Sequence, residues 1–355
     1  MVKKAMVAMS GGVDSSVAAY LLRDAGYSVT GVTMCLGIRE DGQQARCCGR
    51  DAIEDARRVC ERLRIPHHVI DFSADLQQKV IDKFVREYRR GRTPNPCIDC
   101  NRYLKFGRLL ELARSMGFDF IATGHYAKIE KKGNLYQLLK PKDRIKDQTY
   151  FLYPIQRENL ASILFPLQDM TKDEVRTLAR RARLPVAEKL ESQDICFVTQ
   201  KDYRLFFRQM GVPAEPGEIV HRDGRALGEH RGIVYYTVGQ RTGLGVSAEK
   251  PLYVLSIDPR TNRIVVGAKE DLYATGLIAG DFNLLADRLP EAAEATVRYR
   301  KKSSLCHVAQ KGGRVTVTFS VPQESITPGQ AVVLYGEDEI MGGGVIDEVM
   351  HGTSG

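Results

Sequence analysis

The chain has 355 residues, more than one ordinary hydrophobic core accommodates, so two or three domains are expected. Its 43% apolar and 27% charged residues, with no apolar run near the ~20 residues a membrane span needs, exclude a disordered chain and a membrane partner. Lys plus Arg number 52 against 44 Asp plus Glu, and the resulting +8 is a modest pull toward polyanions.

The N-terminus has two lysines and a short apolar stretch, as a signal peptide does. The stretch runs into a glycine loop with an aspartate, not a small-residue cleavage site, so it reads as a first strand of a cytoplasmic protein. Ala5–Met9 is that strand, and Val17–Ala25 is a helix ended by Gly26. Tyr27–Leu36 is β-branched and strand-like; Asp51–Arg64 has helical periodicity and stops at Pro66; His67–Phe72 is a third strand. Ala74–Arg90 and Tyr103–Met116 read as helices and Phe118–Thr123 as a strand. Thr171-Lys-Asp-Glu174 is a capping-box pattern opening a helix to about Arg183, and Lys201–Met210 is the last clear helix. Short β-rich runs follow at Gly232–Gly239, Leu252–Ile257, Arg263–Val266, Arg314–Phe319 and Ala331–Tyr335.

Alternating strands and helices predict an α/β fold with a parallel, Rossmann-like sheet, whose ligands collect beyond the carboxyl ends of the strands. The Ser10 loop, Met34 and the Gly124-His125 segment fall at such ends. The domains expected are 1–200 for catalysis, 201–275 as a small β-rich middle domain, and 276–355 as a C-terminal β-barrel.

Between the first strand and helix lies Ala8-Met-Ser-Gly-Gly-Val-Asp-Ser-Ser16. Backbone N–H groups at a helix start bind anions, Gly11 and Gly12 admit close approach, and Ser10, Ser15 and Ser16 can donate hydroxyls. No G-x-x-x-x-G-K-[ST] is present, so the loop is not built for γ-phosphate transfer. Eight cysteines in a chain without a secretory signal argue against a disulfide scaffold. Cys35, Cys60 and Cys306 lie in apolar patterns and read as buried small hydrophobes. Cys47-Cys48, Cys97, Cys100 and Cys196 lie in polar, turn-like contexts, with Cys97 and Cys100 forming a C-x-x-C in a Pro-rich loop. From Arg86 to Arg108, seven basic residues oppose Glu87 and Asp99, and a second knot runs Arg298-Tyr-Arg-Lys-Lys302. Such knots beside aromatics suit a phosphate backbone.

The SGGVDS run resembles the pyrophosphate loop of the N-type ATP pyrophosphatases, which cleave ATP between α- and β-phosphates to adenylate a carbonyl oxygen. SGGVDSS, GRTPNP-x-x-x-CN, ATGHYA, KDQTYFLY, ICF, VGQR-x-GLG and TPGQAVVLY then follow in order across nearly the whole chain, which resembles the tRNA-specific 2-thiouridylases. The resemblance implies ATP-dependent conversion of the wobble uridine of tRNA to 2-thiouridine. Cys196 would receive a persulfide from a cysteine desulfurase or sulfur-relay protein, and Cys100 would attack it, leaving a Cys100–Cys196 disulfide. Ala8, Met9, Ser10, Gly11, Gly12, Val13, Asp14, Ser15, Met34 and Gly124 would hold ATP, with Asp14 the candidate for Mg2+. Asn95, Pro96 and Cys97 would lie along the target base, and His125, Lys146, Asp147, Gln148, Arg298, Tyr299 and Gln330 would touch the anticodon stem-loop.

One departure concerns Cys97, where members of the family carry Asp. Cys97, Cys100 and Cys196 could hold three irons of a [4Fe-4S] cluster, its fourth iron binding sulfide. An alternative resolving thiol, a zinc site, a ligand role for Cys47 or Cys48, or no special role are the other readings of Cys97. Two other functions compete: a pyrophosphatase-loop synthetase acting on a small molecule, which needs no basic β-rich half, and a non-catalytic RNA-binding protein, against which the intact loop argues.

Overall fold

The computed structural model describes residues 1–37, 50–190, 195–198 and 202–352. The chain forms two compact units, one of Met1–Val80, Cys97–Phe197 and Asp338–Ile340, the other of Ile81–Pro96, Val198–Glu337 and Met341–Gly355. Among the described residues no helix is long and apolar enough to cross a membrane.

In the first unit, strands β1 (Lys4–Ala8), β2 (Ser28–Cys35), β3 (His67–Asp71) and β4 (Phe120–Ala122) are followed by a hairpin, β5 (Lys128–Lys132) and β6 (Leu135–Leu139), and by β7 (Ile163–Leu164). A five-stranded sheet has the order β3-β2-β1-β4-β7, all parallel. Ala5, Met6 and Val7 are all fully buried, as a central strand covered on both faces requires. The chain steps outward from β1 through β2 to β3, then returns to the other side of β1 at β4. That reversal opens a crevice beyond the carboxyl ends of β1 and β4, where α/β sheets bind ligands.

Helix Val13–Asp24 follows β1, and helix Arg50–Leu63 buries Ala56, Val59, Cys60 and Leu63, one stripe at helical spacing. Helix Lys172–Arg181 opens on the expected capping box: the Thr171 hydroxyl accepts from Glu174 N at 3.3 Å, and the Glu174 carboxylate accepts from Thr171 N at 2.6 Å. The Cys97–Cys100 pair is not in a loop. Pro96–Asp99 is a helical turn, Cys100–Leu109 winds with i→i+5 bonds as a π-helix, and Leu110–Ser115 continues as α-helix. Proline at a first helical position gives up only an N–H that has no intrahelical acceptor there, so Pro96 opens the helix rather than prolonging the loop.

In the second unit, β8 (Gly217–His221), β9 (Ala226–His230), β10 (Tyr253–Asp258) and β11 (Arg263–Gly267) form a sheet of order β10-β11-β8-β9 over Ile219, Val254, Ile264 and Val266. Strands β12 (Tyr273–Leu284), β13 (Ala292–Thr296), β14 (Ser304–Lys311), β15 (Arg314–Glu324), β16 (Ala331–Gly336) and β17 (Glu339–Met350) follow. β12 pairs with both β15 and β17, which closes a six-stranded barrel around Leu277, Val315, Val317 and Leu334. Helix Asp82–Arg89 packs its Phe84 and Tyr88 on Phe207 of helix Tyr203–Gln209, with ring centroids 5.6 and 5.0 Å apart. The fold class is the one expected. The β run expected over Gly232–Gly239 is instead a 3-10 turn at Ile233–Tyr235, entered through Gly232 at φ 124°, a backbone that departs from an extended strand.

Candidate active site

Ser10, Gly11 and Gly12 join β1 to a helix that starts at Val13, so Asp14, Ser15 and Ser16 form its first turn rather than preceding it. The N-cap, Gly12, has no side chain to engage the first amides. Those amides have no intrahelical acceptor, and the helix dipole adds positive potential, so the turn is open to an anion. Gly11 sits at φ 69°, and a Cβ there would collide with the Ala52 carbonyl oxygen. A Cβ on Gly124, after β4, would lie 2.5 Å from Ser15 N. Both glycines are thus required by close approach. The loop is braced internally: Ser10 N donates to Ser15 Oγ at 3.2 Å, and Ser16 Oγ donates to Gly12 O at 2.8 Å. Met34 lies near the end of β2, half-buried.

Asp14, the expected Mg2+ ligand, is already engaged. Lys172 Nζ donates to its two oxygens at 2.7 and 2.8 Å, and Tyr126 OH donates to Oδ1 at 2.9 Å. As it stands this carboxylate does not fit a bound Mg2+, since an ammonium faces both oxygens. Lys189 performs a second bracing role, donating to Gly11 O at 3.1 Å and to Asp55 at 2.5 Å.

Cys97 is exposed and Cys100 half-buried; neither is disulfide-bonded, and they lie one helical turn apart. Desolvation pushes the Cys100 thiol up, the nearby Lys105 ammonium opposes this, and Asp99 adds to it. Lys105 Nζ donates to Asn101 Oδ1 at 3.0 Å, and Asn101 Nδ2 donates to Phe151 O at 2.9 Å. Lys105 Nζ also lies 3.4 Å from His125 Nε2. An ammonium can only donate, so Nε2 accepts and His125 Nδ1–H donates to Thr123 Oγ1 at 2.7 Å. Burial, aided by Lys105, holds the imidazole well below its usual range and therefore neutral.

Cys196 is exposed and not disulfide-bonded, in Ile195–Val198, whose Phe197 and Val198 are buried. Cys60 and Cys306 are buried as expected, their thiols pushed up by burial to about 12 and about 11. Cys35 is also buried, but it is disulfide-bonded, which the reading as a plain hydrophobe did not anticipate. Cys47 and Cys48 lie outside the described residues. Among the described residues no three or more His, Cys, Asp or Glu gather as a metal site, and Cys97, Cys100 and Cys196 are not gathered into one.

Family models match three successive stretches: a tRNA methyl transferase HUP domain over residues 3–200, a tRNA methyl transferase PRC-barrel domain over 206–268 and an aminomethyltransferase beta-barrel domain over 274–346. A protein of Syntrophus aciditrophicus named tRNA-specific 2-thiouridylase is 61% identical, over 98% of this chain and 94% of its own. Those of Carboxydothermus hydrogenoformans and Clostridium botulinum are 49% and 47% identical, each over 98% of this chain and over 98% and 99% of their own. This chain belongs to the tRNA-specific 2-thiouridylase family.

The residues that the family resemblance assigned to tRNA fall into two kinds. Arg298 is exposed beside half-buried Tyr299, over whose ring the Arg300 guanidinium lies at 5.4 Å. Gln148, Asp147 and Gln330 are instead used within the fold. Gln148 Oε1 accepts from Tyr126 N at 3.0 Å, Asp147 Oδ1 accepts from Thr149 N at 2.8 Å, and Gln330 Nε2 donates to Thr93 O at 2.9 Å. Lys146 N donates to Asp143 Oδ1 at 3.1 Å, while Asn95 is half-buried and Pro96 buried just ahead of Cys97. Sequence reasoning missed Lys172, Tyr126, Lys189, Asn101 and Lys105. Of these only the Asn101–Lys105 spacing, four residues along one helix, was a signal available in advance.

Proposed function

We propose that the chain catalyses ATP-dependent 2-thiolation of the wobble uridine in the anticodon stem-loop of tRNA. The ATP phosphates lie on the first amides of helix Val13–Asp24. Uridine O2 attacks the α-phosphorus, pyrophosphate leaves, and O2 becomes part of an AMP ester. Cys196, exposed to a donor protein, takes up a sulfane sulfur from a cysteine desulfurase or sulfur-relay protein as a persulfide. The terminal sulfur attacks C2 and AMP leaves. The Cys100 thiolate then attacks Cys196 Sγ and breaks the S–S bond. Sulfur stays on the base as the thiocarbonyl, a Cys100–Cys196 disulfide remains, and an external thiol reduces it. Lys105 is the cation placed to favour the thiolate form of Cys100.

The observation that carries this reading is the helix start capped by Gly12 and crowded by Gly124, in a chain 61% identical to a protein named for 2-thiouridylation. Mg2+ enters the scheme as the counter-ion that ATP brings with it, and no side chain is assigned to it. No step is routed through an iron–sulfur cluster.

The test is incubation with unmodified tRNA, ATP, a cysteine desulfurase and cysteine, followed by mass spectrometry of the tRNA nucleosides. The wild type should yield 2-thiouridine. Cys196→Ser should release pyrophosphate but form no 2-thiouridine, and a Cys196→Ser protein that still thiolates would overturn the assignment.

A further inference from the structure

Six of the seven basic residues of the run Arg86–Arg108 divide into two groups in the fold, and the seventh, Arg108, is exposed on the π-helix Cys100–Leu109. Arg92 is consumed by Glu87 at 2.7 Å and Asp347 at 2.9 Å. Lys105 is held by Asn101, and Arg102 lies over the Tyr103 ring at 5.9 Å. Arg86, Arg89 and Arg90 are different. They are exposed on the side of helix Asp82–Arg89 and its C-cap away from the buried Phe84, Glu87 and Tyr88. The aromatic packing of Phe84 and Tyr88 on Phe207 fixes which side that is. Among the described residues Arg86 and Arg89 form no ion pair, and Arg90 reaches Glu87 only at 3.5 Å, a carboxylate it shares with Arg92. The three guanidinium groups rim a recess of about 520 Å³ whose other walls are Val85, Met210, Val212 and one acid, Asp82.

We propose that this recess is a phosphate-backbone grip for the tRNA substrate, separate from the residues that handle the target base; it rests on the tRNA-modifying function proposed above. Three cations face one carboxylate of the recess, and the Glu87 that Arg90 reaches is shared with Arg92, so this face carries a net positive charge suited to an anionic partner. Guanidinium groups match phosphate oxygens with two parallel N–H donors, and the exposed arginines can reach them from the rim of the recess. Phosphates repeat along an RNA backbone, so neighbouring arginines on one helix face can each meet one without reading sequence. The exposed Arg298 and Arg300 beside Tyr299 show the same chemistry elsewhere in this unit.

The experiment titrates labelled tRNA with the full chain and with the triple variant Arg86→Ala, Arg89→Ala, Arg90→Ala across a KCl series. Each phosphate contact contributes ~0.7–0.9 to the slope of log K against log salt, the values for single-stranded and duplex DNA, so losing three should reduce the slope by about 2–3 and weaken binding about tenfold or more at low salt. The all-lysine variant should restore most of the slope, and the unfolding midpoint should be the same for all three proteins. Unchanged affinity and slope in the alanine variant would overturn the grip. So would intact tRNA binding with failed sulfur delivery from the donor protein, which would assign the recess to an acidic protein instead. A wild-type chain that binds no tRNA at any salt would sink the proposed function as well, and is distinguishable because the wild type itself then fails.

Discussion

Asp14 and Lys172 are 158 residues apart in sequence, yet the ammonium touches both carboxylate oxygens at the start of helix Val13–Asp24, where the proposed function puts the ATP phosphates. Their side chains are 29% and 11% exposed, so removing the cation strands a carboxylate that is largely withdrawn from water. Lys172→Met should lower stability by about 1–3 kcal/mol, read as a drop in the unfolding midpoint, and should also weaken ATP binding by calorimetry. His125 gives a prediction of opposite kind. Its folded pKa lies well below 6.5, so below about pH 6.5 the unfolded chain takes up a proton that the folded chain refuses, and stability falls as pH falls. His67 and His230 are also lowered by burial and contribute with the same sign. The informative quantity is therefore a difference: between pH 7 and 5 the unfolding midpoint of His125→Gln should fall less than that of the wild type. Neither partnership was visible in the sequence, because a pair contact across the fold leaves no mark on the local pattern of either residue.

Elements were legible where one physical signal dominated. The central strands around Val7 and Val32 and the stripe Ala56, Val59, Cys60 and Leu63 follow from apolar patterning, and the Thr171 capping box was read correctly from four letters. The helix that starts at Val13 was placed late because Gly11 and Gly12 mask its onset. The Lys128–Leu139 hairpin was missed because its first strand, Lys-Ile-Glu-Lys-Lys, is largely exposed and carries no apolar alternation. In the Cys97–Cys100 segment Pro94 and Pro96 hide from sequence the helical turn that Pro96 opens. At this scale Gly124→Ala is the sharpest test. Its Cβ would press on backbone atoms of Asp14 and Ser15 that cannot swing aside, so a loss of about 1–3 kcal/mol with loss of ATP binding is expected. Gly117→Ala makes the control: its φ of 74° carries a conformational cost of about 1–2 kcal/mol, but no heavy atom lies within 4 Å of the new Cβ, and ATP binding should survive. If both variants bind ATP equally, the close approach at Gly124 is not what shapes the phosphate turn.

For the whole molecule, charge and topology set behaviour that no single site explains. A net charge of +8 adds a general attraction to RNA that salt removes, so affinities are comparable only at one ionic strength. Topology has a less obvious consequence. The first unit includes Asp338–Ile340: Glu339 pairs with Leu139, Lys140 N donates to Asp338 O at 2.8 Å, and Arg144 pairs with Asp338 at 2.6 Å. In a fragment ending at Phe197 the Lys140 amide has lost that acceptor, and it should exchange its hydrogen faster than in the full chain. A ribosome releases residues in order, so the first unit stays unfinished until position 340 has left the exit tunnel. Its last stitch is set only once residues 338–340 are available, and a translation product stopped before them therefore carries a frayed edge at Leu139.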